Sequence, residues 1–274
     1  MSQETSGGGQ DSSADGSREL RASVVVPCFN EASRLRRDGF DALLLRPGLD
    51  LWFVDDGSDD DTLAVLESIA KSLGDRARVL RREANSGKGE AVRIGMRAAL
   101  GAGAQVVGYY DADLATPPSE MLRLIELLEN PALEVALAAR VALLGTQIRR
   151  HAYRHYIGRV FATAASQILS LPVYDTQCGA KAFKRTPSLE AALEAPFSGR
   201  WAFDVELIGR LLAGATDAPG VPVDAIVEMP LRAWTDIAGS TLGPAQFPGV
   251  GVELLRIFWA LRRWRTSAEE RGRG

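Results

Sequence analysis

The sequence predicts an α/β fold in which helices flank a mostly parallel central sheet. Short apolar runs typical of buried strands alternate with longer helical patterns from about residue 21 onward. Strands separated by helices of this length form right-handed βαβ units. The 274-residue chain is also 46% hydrophobic and 24% charged, a composition with enough apolar surface for a full core.

The predicted strands and helices follow one another in a regular order. Predicted helices cover residues 60–73, 88–100 and 116–130. The third is the best delimited, because Thr116 can cap it, Pro117 suits its first turn and Asn130-Pro131 ends it. The five predicted strands are residues 24–26, 51–54, 79–80, 106–110 and 135–139.

Three segments are expected along the chain. Residues 1–20 are rich in Ser, Gly, Asp and Gln and contain no apolar cluster, which predicts a disordered polar tail. Residues 21–242 form the α/β domain, and residues 243–274 form an amphipathic helix with a basic tail. The apolar face of residues 250–264 suits a helix on anionic lipid and equally a terminal helix packed on the domain. That face consists of Val250, Leu254, Ile257, Phe258, Leu261 and Trp264.

Charge and cysteine content exclude several classes of protein. The net charge is −3, so no overall field favours nucleic acid, and we expect no nucleic-acid partner. Cys28 and Cys178 alone give neither a disulfide framework nor a zinc spacing, which favours a reduced, cytoplasmic protein. No run of about 18 apolar residues is present, so no transmembrane segment is expected.

Acidic residues follow two of the predicted strands, where parallel sheets bind ligands. Asp111 and Asp113 come directly after the strand at 106–110, and alternate side chains at a strand end point the same way. Two such carboxylates can share a hard divalent cation, Mg²⁺ or Mn²⁺, which then bridges a diphosphate. The alternative is that the acids cap helices, which is the favoured reading for residues 59–61.

A glycine loop and a basic stretch are the other features that suggest phosphate chemistry. Lys88 lies in Asn85-Ser86-Gly87-Lys88-Gly89 just before a helix, although the loop is not a Walker A motif. Residues 135–174 contain no Asp or Glu, and their arginines suit phosphates or an anionic membrane. Solvated basic side chains are the alternative for both features. The arginines are Arg140, Arg149, Arg150, Arg154 and Arg159.

Seven blocks follow one another along the chain: VVVPCFNE, FVDDGSDDDT, NSGKGEAVRIGM, YYDADLATP, DTQCGAKAFKR, RWAFDVEL and WTDIAGS. Together these blocks resemble inverting glycosyltransferases of family 2 with the GT-A fold. The order and spacing of the blocks are closest to the dolichyl-phosphate (polyprenyl-phosphate) β-glucosyltransferase branch. They span about residues 22–242, which the resemblance identifies as the glycosyltransferase domain.

The resemblance implies a UDP-sugar donor site in the first half of the domain. Four residues match positions that hold the uracil and ribose, Lys88 matches a position beside the donor, and Asp111 and Asp113 match the metal–diphosphate motif. The implied cofactor is Mg²⁺ or Mn²⁺. The four uridine positions are Pro27, Phe29, Glu31 and Asp56.

The resemblance also implies a polyprenyl-phosphate acceptor at the membrane surface, with the protein peripheral on its cytoplasmic face. Arg140 and Arg154 match arginines that hold phosphates. Asp175, Gln177, Trp201 and Asp204 match positions near the sugar and acceptor, with Asp204 and Asp175 as the catalytic candidates. If the acceptor were a hydroxyl, a carboxylate base would be needed, and Asp204 is the candidate.

The chain departs from the usual pattern of this branch at five positions, so the sugar and the acceptor remain open at this point. A family 2 enzyme with a soluble acceptor, such as a phosphorylated small acid or a glycan, is the main alternative. A non-catalytic nucleotide-sugar binding module is the other. The five positions are Phe29, Leu114, Ala115, Ala180 and Thr241.

Overall fold

A computed structural model describes residues 20–149, 152–237 and 247–271. Within these ranges the side chains of 149, 152–157, 247–248 and 267–271 are not described. The expected polar tail therefore lies outside the described residues except for Leu20, as do Arg150 and Thr241.

The core of the molecule is a seven-stranded sheet with the order β3-β2-β1-β4-β7-β5-β8. The pairs β1–β2, β1–β4, β2–β3 and β5–β8 are parallel, and β7 runs antiparallel to both of its neighbours. A two-stranded parallel sheet joins β6 to β9. The strands are β1 Ala22–Cys28, β2 Leu49–Asp55, β3 Ala77–Arg81, β4 Val106–Tyr110, β5 Val135–Ala139, β6 Gln147–Arg149, β7 Ala180–Lys184, β8 Ile226–Pro230 and β9 Ala233–Thr235.

Helices cover both faces of this sheet because successive strand residues point to opposite sides. Val25 packs in one hydrophobic cluster with Met96 of α3, whereas Val24 packs in the other with Phe40 of α1. The helices are α1 Arg37–Leu43, α2 Thr62–Leu73, α3 Lys88–Gly101, α4 Pro118–Leu127, α5 Ala152–Leu169, α6 Pro187–Ala192, α7 Phe203–Ala213 and α8 Phe247–Arg271.

The predicted mostly parallel α/β architecture is confirmed, and each of the five predicted strands and three predicted helices is present. One capping prediction is wrong. Helix α4 begins at Pro118 with Pro117 at its N-cap, and no side chain caps it; the Thr116 carbonyl instead accepts a hydrogen bond from the Tyr110 hydroxyl. At the start of α2, the carboxylate of Asp60 accepts a hydrogen bond from the Thr62 N–H at 3.0 Å.

The C-terminal helix α8 packs on α7 through the apolar face that the sequence indicates. Leu254, Ile257 and Leu261 are buried, and a Cβ at Gly209 of α7 would overlap the Leu261 side chain. The Trp264 indole N–H donates to the Gly214 carbonyl at 2.7 Å. Of the two alternatives for this face, packing on the domain is the one that the structure contains.

Shortening the buried side chains of α8 will destabilise the whole domain. Ile257→Ala and Leu261→Ala should each lower the free energy of unfolding by about 2–4 kcal/mol, because each leaves a cavity against α7. Urea denaturation followed by circular dichroism measures this. Leu255→Ala on the same helix, where Leu255 is 62% exposed, is the matched control and should change stability by less than about 0.5 kcal/mol. Equal effects of the three substitutions would contradict the docked position of α8.

Candidate active site

The C-terminal ends of three neighbouring parallel strands meet at one edge of the sheet. Cys28 at the end of β1 is in register with Asp55 at the end of β2, and the Asp56 N–H donates to the Cys28 carbonyl at 2.9 Å. Asp111 comes directly after β4, which pairs with the other side of β1. The acidic loops that the sequence singles out therefore lie side by side.

Asp56 shapes the glycine loop. Its buried carboxylate accepts hydrogen bonds from the backbone N–H groups of Ser86 at 3.2 Å and Gly87 at 2.7 Å. Arg82 approaches the same carboxylate at 3.5 Å. Gly87 has a φ of 97°, a conformation that favours glycine, and it leads directly into α3. Asp56 thus fixes the position from which Lys88 extends.

Pro27, Phe29 and Glu31 border the same edge at the end of β1. The Phe29 side chain is 40% exposed, as expected of a residue that can contact a ligand. Arg34 donates to Glu31 Oε1 at 2.6 Å, while Glu31 Oε2 is buried and has no hydrogen-bond partner among the described residues. Burial raises the pKa of Glu31, and the nearby carboxylates of Asp113 and Asp111 raise it further against the opposing effect of Arg34.

Lys88 and the Asp111–Asp113 pair form the centre of the predicted donor site. The Lys88 Nζ lies 2.6 Å from Asp111 Oδ1. Burial lowers the pKa of Lys88, but the carboxylates of Asp111 and Asp204 outweigh that effect, so its pKa is raised and the ammonium persists. Asp113 accepts a hydrogen bond from the Ala115 N–H at 3.0 Å. Burial raises the pKa of Asp113, and the charge of Asp111 adds to the increase.

The residues at this edge fit a divalent cation. Within the described residues Asp113 forms no ion pair, and the unpartnered Glu31 Oε2 adds to the excess of carboxylate oxygen. No three His, Cys, Asp or Glu side chains in that part of the chain form a complete metal site. A cation would therefore combine the two aspartates with ligands from a substrate. Mg²⁺ commonly binds in this way, through one or two carboxylates plus phosphate oxygens.

Gly179 permits the close approach of a second loop to Asp111. The Asp111 N–H donates to the Gly179 carbonyl at 2.9 Å, and a Cβ at Gly179 would overlap the Asp111 carboxylate. This contact arises because β7 is antiparallel to β4, with Ala180 opposite Tyr110. The start of β7 therefore lies at the edge where β4 ends.

On the acceptor side, Arg140 and Asp175 form a bidentate ion pair. Arg140 Nε lies 2.6 Å from Asp175 Oδ2, and Nη2 donates to Oδ1 at 2.8 Å. The Arg140 guanidinium also lies over the Trp234 ring at 5.4 Å. Glu228 of β8 accepts hydrogen bonds from the backbone N–H groups of Tyr174 and Asp175. Asp175 and the Trp234 ring thus hold Arg140 in one orientation, and Glu228 fixes the backbone that carries Asp175.

Asp204 lies at the start of α7, as the sequence predicts, but it is only 3% exposed. Lys181 Nζ of β7 lies 2.8 Å from Asp204 Oδ1 and donates to the Cys178 carbonyl at 2.6 Å, and the Tyr109 hydroxyl donates to Asp204. Burial raises the pKa of Asp204 and lowers that of Lys181. Asp204 is therefore a buried, partnered group rather than a carboxylate presented to solvent.

Gln177, Trp201 and Arg154 are the other residues that the resemblance assigns to the acceptor side. The Gln177 backbone N–H donates to Asp175 at 3.2 Å, and the Trp201 ring contacts Phe161 of α5 edge-on with centroids 5.5 Å apart. Arg154 lies in α5, but its side chain is outside the described set, so its expected contact with phosphate stays a prediction.

Sequence reasoning missed Lys181 and Glu228. One pattern pointed to Lys181: it is one of only four lysines in the chain and lies between small and apolar residues, Ala180, Ala182 and Phe183. Glu228 had no comparable signal, because its partners lie more than 50 positions earlier in the chain.

The fold is similar to that of solved nucleotide-sugar transferases. One is glucosyl-3-phosphoglycerate synthase from Mycobacterium tuberculosis in complex with Mn²⁺, UDP and glucosyl-3-phosphoglycerate, with a TM-score of 0.64 and 18% sequence identity. The similarity covers 88% of this chain and 80% of that one. The predicted GT-A fold, that of the nucleotide-diphospho-sugar transferases, is confirmed.

The curated relatives make the class more specific. A dolichyl-phosphate beta-glucosyltransferase of Mus musculus is 34% identical over 266 residues, covering 89% of this chain and 77% of the relative. A polyprenol monophosphomannose synthase of Mycolicibacterium smegmatis is 27% identical over 228 residues, covering 83% and 84%. The family pattern of Glycosyl transferase family 2 matches residues 23–190. This chain therefore belongs to glycosyl transferase family 2.

Adding one methyl group at Gly179 should impair the donor site. Gly179→Ala displaces the Asp111 carboxylate, so we expect kcat/KM to fall by about ten-fold or more, because a misplacement of about 1 Å at a reacting centre can cost 100-fold. Steady-state turnover measures the change. Gly101→Ala at the end of α3 is the control, since its added Cβ meets no atom within 4 Å. A fall of the same size in both variants would contradict the steric argument.

Removing the lysine from the buried Lys181–Asp204 pair should destabilise the fold strongly. Lys181→Met leaves a buried carboxyl without its cation, which costs about 3–5 kcal/mol. Chemical denaturation measures the loss. Adding Asp204→Asn to this variant should restore part of it, because a neutral amide needs no counter-ion. Lys184→Met on the same strand, where Lys184 is at the less buried end, is the control and should cost less than about 1 kcal/mol.

Proposed function

We propose that this chain is an inverting glycosyltransferase that moves glucose from a UDP-sugar to a polyprenyl phosphate of the dolichyl type. The arrangement of Lys88, Asp111 and Asp113 at the sheet edge supports a donor that contains a nucleotide diphosphate. The relatives named dolichyl-phosphate beta-glucosyltransferase support both glucose and the lipid-phosphate acceptor. The polyprenol monophosphomannose synthase supports the same acceptor class.

The engagement of the acidic side chains by cations is the observation that carries the proposal. Asp204 is paired with Lys181, and Asp175 is paired with Arg140. An acceptor hydroxyl would need a carboxylate positioned to remove its proton. A phosphomonoester, whose second pKa is about 6, is already largely ionised at neutral pH. These buried, paired acids therefore favour an acceptor that needs no base.

Each residue then has a role in an in-line displacement. Pro27, Phe29 and Glu31 border the uridine, while Asp56 fixes the loop that presents Lys88 to the diphosphate. A phosphate oxygen of the acceptor bonds to the anomeric carbon as the bond to the UDP oxygen breaks, and UDP departs with the electron pair. This inverts the configuration at that carbon.

A divalent cation, Mg²⁺ or Mn²⁺, held by Asp111 and Asp113 would offset the charge that develops on the departing diphosphate. On the acceptor side, Asp175 occupies the Nε and Nη2 groups of Arg140. We assign the Nη1 group of Arg140 to the acceptor phosphate; Arg154, Gln177 and Trp201 are the other residues that the resemblance implies for the acceptor site. The bidentate pair keeps the arginine pre-oriented, which lowers the entropy lost on binding.

A soluble phosphorylated acid is the competing acceptor. A structurally similar Mycobacterium tuberculosis synthase was crystallised with Mn²⁺, UDP-glucose and phosphoglyceric acid, with a TM-score of 0.64 and 19% identity. Identity at that level supports the fold and not the substrate. In the described residues no helix is long and apolar enough to cross a bilayer.

The decisive assay combines purified protein, Mg²⁺ or Mn²⁺, UDP-glucose and detergent-dispersed polyprenyl phosphate, with products identified by mass. We expect a hexose-phosphate polyprenol. Asp113→Asn should lower kcat/KM by about 100-fold or more, because it removes half of the carboxylate pair. Asp75→Asn, at an exposed turn before β3, is the charge-matched control and should retain full activity.

Asp204→Asn separates the two acceptor classes. If the acceptor is a phosphate, this variant should retain measurable transfer, with kcat reduced by about ten-fold or less through altered packing around Lys181. A loss as large as that of Asp113→Asn would refute the argument that no base is needed. If UDP is released with phosphoglyceric acid and no lipid product forms, polyprenyl phosphate is not the acceptor and the soluble acceptor is favoured.

A further inference from the structure

We infer that the outward side of α8 is a docking surface for anionic lipid. We call it the α8 outer face and define it as Val252, Leu255, Arg256, Trp259, Arg262 and Arg263. The inference deepens the proposed function and rests on it in one respect, since a bilayer would carry the polyprenyl-phosphate acceptor.

The α8 outer face carries large apolar side chains at positions where a packed terminal helix should be polar. The inward residues Leu254 and Ile257 are buried in the same hydrophobic cluster as the apolar residues of α7. On the other side, Val252 is 50%, Leu255 is 62% and Trp259 is 55% exposed. Their spacing of three and four residues puts them on one side of the helix. Exposed large apolar residues grouped in this way mark interaction sites rather than ordinary surface.

The charges on this face identify the partner as anionic. Residues 254–266 contain no Asp or Glu, and the arginines at 256, 262 and 263 are exposed. The acid just before them, Glu253, is turned inward: its Oε1 accepts hydrogen bonds from the backbone N–H groups of Trp201 at 2.7 Å and Ala202 at 3.0 Å. The α8 outer face is therefore positively charged.

The combination of arginine, leucine and tryptophan matches the chemistry of a bilayer interface. The Arg262 guanidinium lies 5.6 Å from the centre of the Trp259 ring and 5.9 Å from that of Phe258. An interfacial helix inserts its apolar residues at the acyl-chain boundary while arginines remain with the lipid phosphates. Tryptophan is enriched at this depth because its ring is apolar and its N–H is polar. An anionic bilayer satisfies both parts of the surface at once.

The position of α8 relative to the active site supports a lipid partner. Glu253 and Ile257 contact the 199–202 segment, which leads into α7 and Asp204. The Arg200 carbonyl in that segment accepts a hydrogen bond from Gly89, the residue after Lys88. A single loop thus separates the inner side of α8 from the glycine loop. Docking of the α8 outer face on a bilayer would bring the 199–202 segment and the glycine loop near the headgroups, where a lipid phosphate lies.

Vesicle sedimentation of the full chain tests the docking surface. We expect binding to phosphatidylcholine vesicles that contain phosphatidylglycerol, and about ten-fold weaker partitioning after Leu255→Ser/Trp259→Ser, because less apolar area enters the bilayer. Arg262→Gln/Arg263→Gln should weaken partitioning by about ten-fold at low salt and abolish most of its salt dependence. Deletion of α8 is not a usable variant, since Ile257 and Leu261 belong to the core.

Matched substitutions before the N-terminal ends of β2 and β3 serve as controls. Leu45→Ser removes a leucine that is 81% exposed between α1 and β2, and Lys71→Gln/Arg76→Gln removes two exposed positive charges near the start of β3. Both should leave vesicle binding unchanged, and all variants should keep the wild-type Tm. Equal losses in the controls, binding that survives both α8 variants, or no preference for anionic vesicles would each overturn the inference.

The outcomes separate this inference from the proposed function. In detergent, where docking is not needed, both α8 variants should form lipid-linked product at the wild-type rate. Product in detergent without wild-type binding to anionic vesicles overturns the docking surface alone. Vesicle binding that depends on the α8 outer face, without any lipid-linked product, supports the docking surface and overturns the acceptor assignment.

Discussion

Negative charge concentrated at one edge of the sheet is the constraint on which the arrangement of this site depends. Parallel strands deliver their following loops to the same edge, and in this chain those loops carry carboxylates. Carboxylates brought together in a partly buried site are costly unless cations balance them. The protein does so with five pairs: Glu31–Arg34, Asp56–Arg82, Asp111–Lys88, Asp175–Arg140 and Asp204–Lys181. Asp113, with its raised pKa, is the position where an external cation best completes the balance.

The antiparallel strand β7 joins the donor and acceptor halves. Because it runs against β4 and β5, its first residue lies at their site-facing ends, with Ala180 opposite Tyr110. The preceding Gly179 contacts Asp111, and the buried Lys181 side chain forms an ion pair with Asp204. The antiparallel strand β7 and the residue before it therefore help to position Asp111 on the donor side and Asp204 on the acceptor side.

Helix α8 shows how one amphipathic element can have two apolar sides with different functions. Its inner side supplies Ile257 to the core and Glu253 to the backbone of the loop before α7. Its outer side carries Leu255 and Trp259 among arginines. The inner side makes the helix part of the domain, and the outer side is the surface that we infer docks on an anionic bilayer.

The strands, the helices and the loops of the donor site could be predicted from the amino-acid sequence alone. Strand and helix periodicity is local, so β4 and β5 could be bounded to the residue, and Asp111 and Asp113 share a strand end whatever the rest of the chain does. Which charged side chains pair with one another became known only from the folded chain. Lys181 and Asp204 are 23 positions apart, and Glu228 lies 53 positions after Asp175. Periodicity encodes which side of an element is buried, but not which distant group meets it there. The same limit applies to α8, where only packing against α7 reveals which apolar side is covered.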